Sequence, residues 1–174
     1  PGNEPGTKRL GTWQHFLSAL TPLARYSKGD FGVEMMARMC VYNILKRHWH
    51  PELGVCFEQL DDQFQPYPPD PTRNNRGISG WHSIQASWMC MDESLRIGNK
   101  TNFMTALEMG RQTMDKCWGD NKENGESGLH GISNPEDTPV IPKAGVASGA
   151  MDDALVWALL AIEHTHAPWA VDWF

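Results

Sequence analysis

The strongest constraint on this chain is a repeated layout, in which two helix-period segments joined by a tight turn are followed by a long polar loop. From Trp13 to Tyr26 the apolar residues Trp13, Phe16, Leu17, Leu20, Leu23 and Ala24 recur every three or four positions, which is one face of a helix. Ser27-Lys28-Gly29-Asp30 breaks it, with Gly29 as the C-terminal cap and Asp30 as the next N-cap. Phe31 to Trp49 repeats the pattern until Pro51 stops it. Val55 to Leu60 reads as a short strand, and a loop rich in Pro, Asp and Asn follows from Pro66 to Gly77. A third helix is predicted over about 81–97 and a fourth over about 102–118, with Thr101 or Asn102 as its N-cap. Gly119 to Ser148 is loop apart from a strand at 129–132, and a fifth helix over about 151–165 is apolar almost all round and so predicted to be buried.

Paired helices alternating with long loops predict an all-α chain of the α/α barrel or toroid type. Short turns gather at one end of such a fold, and binding loops at the other. A plain bundle is the alternative, but its connections run to about two to eight residues, and two of the loops here are far longer. Residues 1–174 are read as one such domain, with short hairpins in the long loops.

Composition narrows the partners. A net charge of −6 with scattered Lys and Arg argues against nucleic acid. The longest apolar run, Ala154 to Ile162, is half of a membrane span. No signal peptide is visible, and Pro1 to Gly6 resembles a loop, which suggests a fragment or a processed product. Cys40, Cys56, Cys90 and Cys117 fit neither a zinc ribbon nor a disulfide framework. They read as small buried hydrophobes in a reducing, intracellular setting, and no metal or cofactor is expected.

Chemistry is sought among the histidines and acids. His82 stands where a polar loop enters a helix, and Gln85 lies one turn on along the same edge. An imidazole there serves either as a base near neutral pH or as a cap of its own helix, and spacing alone favours the cap. His15 begins the first helix, so in an α/α barrel it can face His82. His130 lies in the Gly-rich loop as a candidate cavity residue. His48 and His50 read as surface residues at a helix end, and His164 and His166 as structural. Glu58, Asp61 and Asp62 end the short strand, while Asp152 and Asp153 open the apolar helix, where capping accounts for only one of the two. Trp13, Trp81, Trp88 and Trp118 sit at helix ends or beside loops, where flat rings suit sugar faces as well as core packing.

Four segments, in order, resemble the N-acylglucosamine 2-epimerase superfamily, which includes cellobiose epimerases and mannose isomerases. Its Met-His-x-x-Glu-Ala helix start is similar to Gln14-His15-Phe16-Leu17-Ser18-Ala19. Its Asp-Pro-x-x-Gly turn, followed by Glu-x-Phe-Asp, is similar to His50-Pro51-Glu52-Leu53-Gly54 and Glu58-Gln59-Leu60-Asp61. Its Gly-His-x-Ile-Glu-x-x-Trp motif is similar to Trp81-His82-Ser83-Ile84-Gln85-Ala86-Ser87-Trp88, and its Lys-x-x-x-x-Gln-Ala-Glu-Ala-Leu segment to the stretch from Lys143 to Leu155.

The resemblance covers the family's C-terminal half. It implies about half of an (α/α)6 barrel and cofactor-free proton transfer beside a sugar carbonyl, on a mono- or oligosaccharide. By that resemblance His82 is a catalytic histidine, and His15 contacts the substrate. Gln85, Trp81, Trp88, Trp13, Glu58 and Asp153 are taken as substrate-binding. The chain departs from the pattern at Gln85 and Ser18, each standing for a glutamate, and an amide orients a histidine but does not ionise. A second histidine is expected near Ala147; none is there, and His130 is the nearest substitute. Five helices leave apolar faces bare, so a second chain or a further half is expected to complete the barrel. The alternatives are a glycoside hydrolase or polysaccharide lyase using the spare acids, or a non-catalytic sugar-binding domain.

Overall fold

The computed structural model describes residues 6–27, 29–68, 77–121, 126–132, 148–166 and 169. Among the described residues five α-helices carry the fold: α1 (Leu10–Ser27), α2 (Phe31–Asn43), α3 (Gly80–Arg96), α4 (Lys100–Cys117) and α5 (Ser148–Thr165). The predicted punctuation appears as expected. Asp30 caps α2 by accepting from the N–H groups of Gly32 and Val33, and Gly29 takes φ +97°, a left-handed conformation that glycine adopts cheaply. Helix α4 starts earlier than predicted because Asn99, not Thr101 or Asn102, is its cap, accepting from the Asn102 N–H at 3.0 Å.

The helices form two layers. Helix α3 packs against α1, α4 and α5, and α1 packs against α2. Cross-links set the directions. Gln14 meets the start of α3 and Arg25 meets Asp92 near its end, so α1 and α3 run parallel. Gln85 and Trp88 meet Asp153, so the start of α5 lies beside the start of α3. Arg96 at the close of α3 pairs with Glu34 at the start of α2, which sets α2 antiparallel to α3. The inner helices α1, α3 and α5 therefore bring their N-terminal turns together, as an α/α toroid requires.

Four two-stranded antiparallel pieces hold those N-termini. Strand β1 (Lys8–Arg9) pairs with β4 (Gln59–Leu60), β2 (Trp49–His50) with β3 (Val55–Cys56), β5 (Ile78–Ser79) with β8 (Gly131–Ile132), and β6 (Trp118–Asn121) with β7 (Glu126–Leu129). The single strand predicted over 55–60 is thus two, with different partners. One runs back to the end of the second helical segment, and the other joins the start of α1.

The second helical segment also departs from expectation. Helix α2 gives way to a π-helical turn, Ile44–His48, before β2. That wider turn swings His48 inward, so this residue, read from sequence as a surface histidine, is fully buried. Its Nδ1–H donates to the Phe57 carbonyl at 2.7 Å, its Nε2 has no partner, and burial pushes its pKa down to about 4. Helix α5 is a second correction. Trp157 and Ala154 are buried, but Leu155, Val156 and Leu159 are exposed, so one face of this apolar helix is bare. Phe16, Leu23, Met36 and Met39 are likewise exposed on α1 and α2, so both flanks of the helix array present apolar side chains.

The core lies between the layers, around Leu17, Ile84, Cys90, Met91, Met109, Met114 and Trp157. All four cysteines are buried, as predicted, and all are free. Burial raises each thiol pKa, to about 11 at Cys40 and about 12 at Cys117. Side chains close on the backbone at Gly110, where a Cβ would strike the Trp157 indole and the Ser87 hydroxyl. No helix among the described residues is long and apolar enough to cross a membrane.

Candidate active site

The N-terminal turns of the inner helices bring together most of the residues singled out from sequence. His15, Gln85 and Asp153 are each the sixth residue of their helix. Parallel inner helices in matching register place such positions at one depth.

His82 is fixed from several sides. The Ser79 hydroxyl caps α3 by accepting from the His82 N–H, and Gly80 donates its N–H to the His130 carbonyl. A side chain at Gly80 would collide with that carbonyl and with Cys117, so glycine is required for β8 to seat the helix start. The His82 Nδ1 lies 2.9 Å from Glu58 Oε2, and both side chains are partly exposed. A carboxylate accepts only, so Nδ1 carries the proton and Nε2 of the neutral ring keeps its lone pair. Trp81 stacks on the same imidazole, with centroids 4.6 Å apart and planes 14° off parallel, and remains 44% exposed. The sequence left His82 open between base and cap. The cap is Ser79, and the imidazole contacts Glu58 and Trp81 instead.

Asp153 forms the second half of the site. The Trp88 Nε1–H donates to its Oδ1 at 2.7 Å, and the Gln85 amide nitrogen to its Oδ2 at 3.2 Å. Burial raises its pKa, opposed first by the Trp88 and Gln85 hydrogen bonds; Asp152 raises it further and His82 pulls it down. Asp153 therefore lies within the electrostatic reach of His82. Asp152, by contrast, is exposed.

His15 is exposed at the edge of this group, its Nδ1–H donating to the Gly11 carbonyl at 2.5 Å. Gly11 in turn faces Glu58: a Cβ built there would lie 3.9 Å from Glu58 Oε1. Trp13 is half-buried against the core, with its indole N–H buried and unpartnered. His130 is buried, its Nε2 3.3 Å from the Gly119 carbonyl, and its backbone holds the start of α3. Its observed contacts are those of a brace under His82. Asp61 is spent on its own turn, accepting from Gln63 and Gln65. Ala147 lies outside the described residues.

Sequence reading missed one residue of the site, Gln14. It is buried, and its amide nitrogen donates to the His82 carbonyl at 2.6 Å and reaches Gln85 Oε1 at 3.4 Å. A polar residue on the buried face of α1 was the available clue. Among the described residues no group of three metal-ligating side chains is present. A cleft of about 870 Å³ between Leu45, Trp49, Lys100 and Met104 opens on the outer helices and contains none of these groups.

The sequence matches no protein-family model and no curated protein. Solved structures do match its fold. A sugar epimerase from a ruminal bacterium superposes with a TM-score of 0.69 at 16% identity, over 95% of this chain and 39% of the other. A D-mannose isomerase superposes with a TM-score of 0.75 at 15% identity, over 98% of this chain and 42% of the other. This chain thus spans about two fifths of the length of each. Its fold is that of part of these two structures, an α/α-barrel arrangement of paired helices.

Proposed function

We propose that this chain carries part of the active site of a sugar epimerase or aldose–ketose isomerase acting on a mono- or oligosaccharide, with His82 as the base. The observation that carries the reading is the Glu58–His82 hydrogen bond at 2.9 Å. It fixes the Nδ1–H tautomer, leaves Nε2 to take a proton from the carbon beside the sugar carbonyl, and steadies the imidazolium that results. The electron pair left on carbon passes to the carbonyl oxygen and gives an enediolate. For isomerisation His82 returns the proton to the neighbouring carbon on the same face, while the hydroxyl proton passes from one enediolate oxygen to the other. For epimerisation His82 keeps the proton it took, and a second acid on the opposite face, supplied from beyond this group of residues, protonates the same carbon.

The surroundings suit that charge. Helix N-termini carry partial positive charge, and three of them converge here, which favours a developing oxyanion. Trp81 covers one face of His82 and offers its exposed surface as a platform for a sugar ring. His15 at the rim, its Nδ1–H given to the Gly11 carbonyl, keeps the Nε2 lone pair to accept from a sugar hydroxyl. The bare flanks on α1, α2 and α5 are, in this reading, seams that further helices cover, from a second chain or from more sequence.

A second reading rests on Glu58 and Asp153, two acids in one site, as glycoside hydrolysis requires. Both are committed to donors here, Glu58 to His82 and Asp153 to Gln85 and Trp88, which favours the first reading. The test is product analysis by chromatography with aldoses and a disaccharide. The epimerase reading expects a rearranged sugar of unchanged mass, lost in His82→Ala. Release of monosaccharide from the disaccharide, or turnover unchanged in His82→Ala, would overturn it.

A further inference from the structure

Gln14 is 2% exposed, its nitrogen serves two acceptors, and its Oε1 is buried with no hydrogen-bond partner among the described residues. A buried, unpaired amide oxygen costs stability, so core packing alone does not account for a glutamine here. The orientation of the amide is dictated by its neighbour. The His82 carbonyl accepts only, so nitrogen must face it at 2.6 Å, and the opposite flip would set two oxygens against each other.

That choice propagates. With Gln14 nitrogen forward, the oxygen of Gln85 is the atom that turns toward it, and the Gln85 nitrogen is left facing Asp153. Gln85 carries one oxygen and one nitrogen on its amide, so both ends are set at once. We infer that Gln14 is a positioning residue: through the chain Gln14–Gln85–Asp153 it holds the Gln85 amide in one orientation and so keeps a hydrogen-bond donor on the Asp153 carboxylate. The inference rests on the proposed site but not on its chemistry. In the motif that this segment resembles, methionine stands at position 14 and glutamate at position 85, so the two amides occur here together. A carboxylate at 85 beside Asp153 would instead set two acids 3.2 Å apart.

Asp153 reports on the chain directly. It is faced by Trp88, Gln85 and His82 from α3 and by Asp152 on its own helix, with Glu58 behind His82. The experiment is carbon-13 NMR titration of the Asp153 side-chain carboxyl in the 174-residue chain and in Gln14→Met, Gln85→Met and the double variant. Methionine nearly conserves the volume of glutamine, so packing is retained. Each single variant is expected to move the Asp153 titration to higher pH, because a donor to the ionised form is lost or free to flip. The double variant is expected to match Gln85→Met alone. That non-additivity separates positioning from a general structural effect, which would add. An unmoved Asp153 in Gln14→Met, or shifts that sum in the double variant, would overturn the inference. Because titration needs no turnover, this outcome is independent of whether the chain rearranges sugars.

Discussion

Glu58 and His82 lie 24 positions apart in sequence and 2.9 Å apart in the fold, joined through the one imidazole nitrogen that leaves the other free. The pairing predicts a specific phenotype for Glu58→Gln. The amide oxygen can still accept from Nδ1–H, but the negative charge that steadies the imidazolium is gone. Sugar turnover should fall by about 10²- to 10⁴-fold in kcat with little change in KM. Steady-state kinetics check this, and an unchanged kcat would detach Glu58 from the chemistry.

The His48 environment predicts a pH dependence of stability unrelated to catalysis. Its pKa is about 4 in the folded chain against 6.5 for an ordinary histidine, so the unfolded state binds more protons between those values. Stability is full above pH 6.5 and declines as pH falls toward 4, by up to about 3 kcal/mol from this group. Urea unfolding at several pH values should show this decline in the parent chain and a flatter profile in His48→Gln. The carboxylates lowered by partners, Glu34 beside Arg96 and Glu108 beside Arg111, contribute in a more acidic window.

Arg96 and Arg111 make comparable ion pairs in very different surroundings. Arg96 bonds Glu93, whose side chain is wholly buried, and also reaches Glu34 on α2. Arg96→Ala strands the Glu93 charge and should cost about 3–5 kcal/mol. Arg111 pairs with the half-buried Glu108 and the exposed Asp115, so Arg111→Ala should cost less than about 1 kcal/mol. Guanidinium denaturation of both variants tests the contrast, and equal losses would contradict it.

Gly110 lets α4 close on α5 and α3. A methyl there meets the Trp157 indole and the Ser87 hydroxyl, and Trp157 is fully buried. Gly110→Ala should destabilise by about 1–3 kcal/mol despite alanine's better helix propensity. Gly98, at the C-terminal end of α3, has open space around it but a φ of +69°, so its alanine variant is strained by backbone alone.

What was legible in the sequence followed local rules. Apolar spacing located all five helices, and Asp30 and Gly29 marked a junction because capping is decided within a few residues. His48 was misplaced because a π-turn alters the helical register without changing composition. The bare face of α5 was hidden because an apolar helix has the same sequence whether or not a neighbour covers it. His82, Gln85, Glu58 and Asp153 were each singled out, but their pairing was not, since it depends on contacts 24 to 68 residues apart. Gln14 went unseen for the same reason, its partners being on another helix.

The central claim is that His82 removes a proton from the carbon beside a sugar carbonyl. The most direct measurement is deuterium wash-in at that carbon, followed by proton NMR, with the chain and an aldose such as mannose in heavy water. The account predicts exchange at carbon 2 in the parent chain, at least about 100-fold slower in His82→Ala. Exchange at equal rates in the parent and His82→Ala would contradict it.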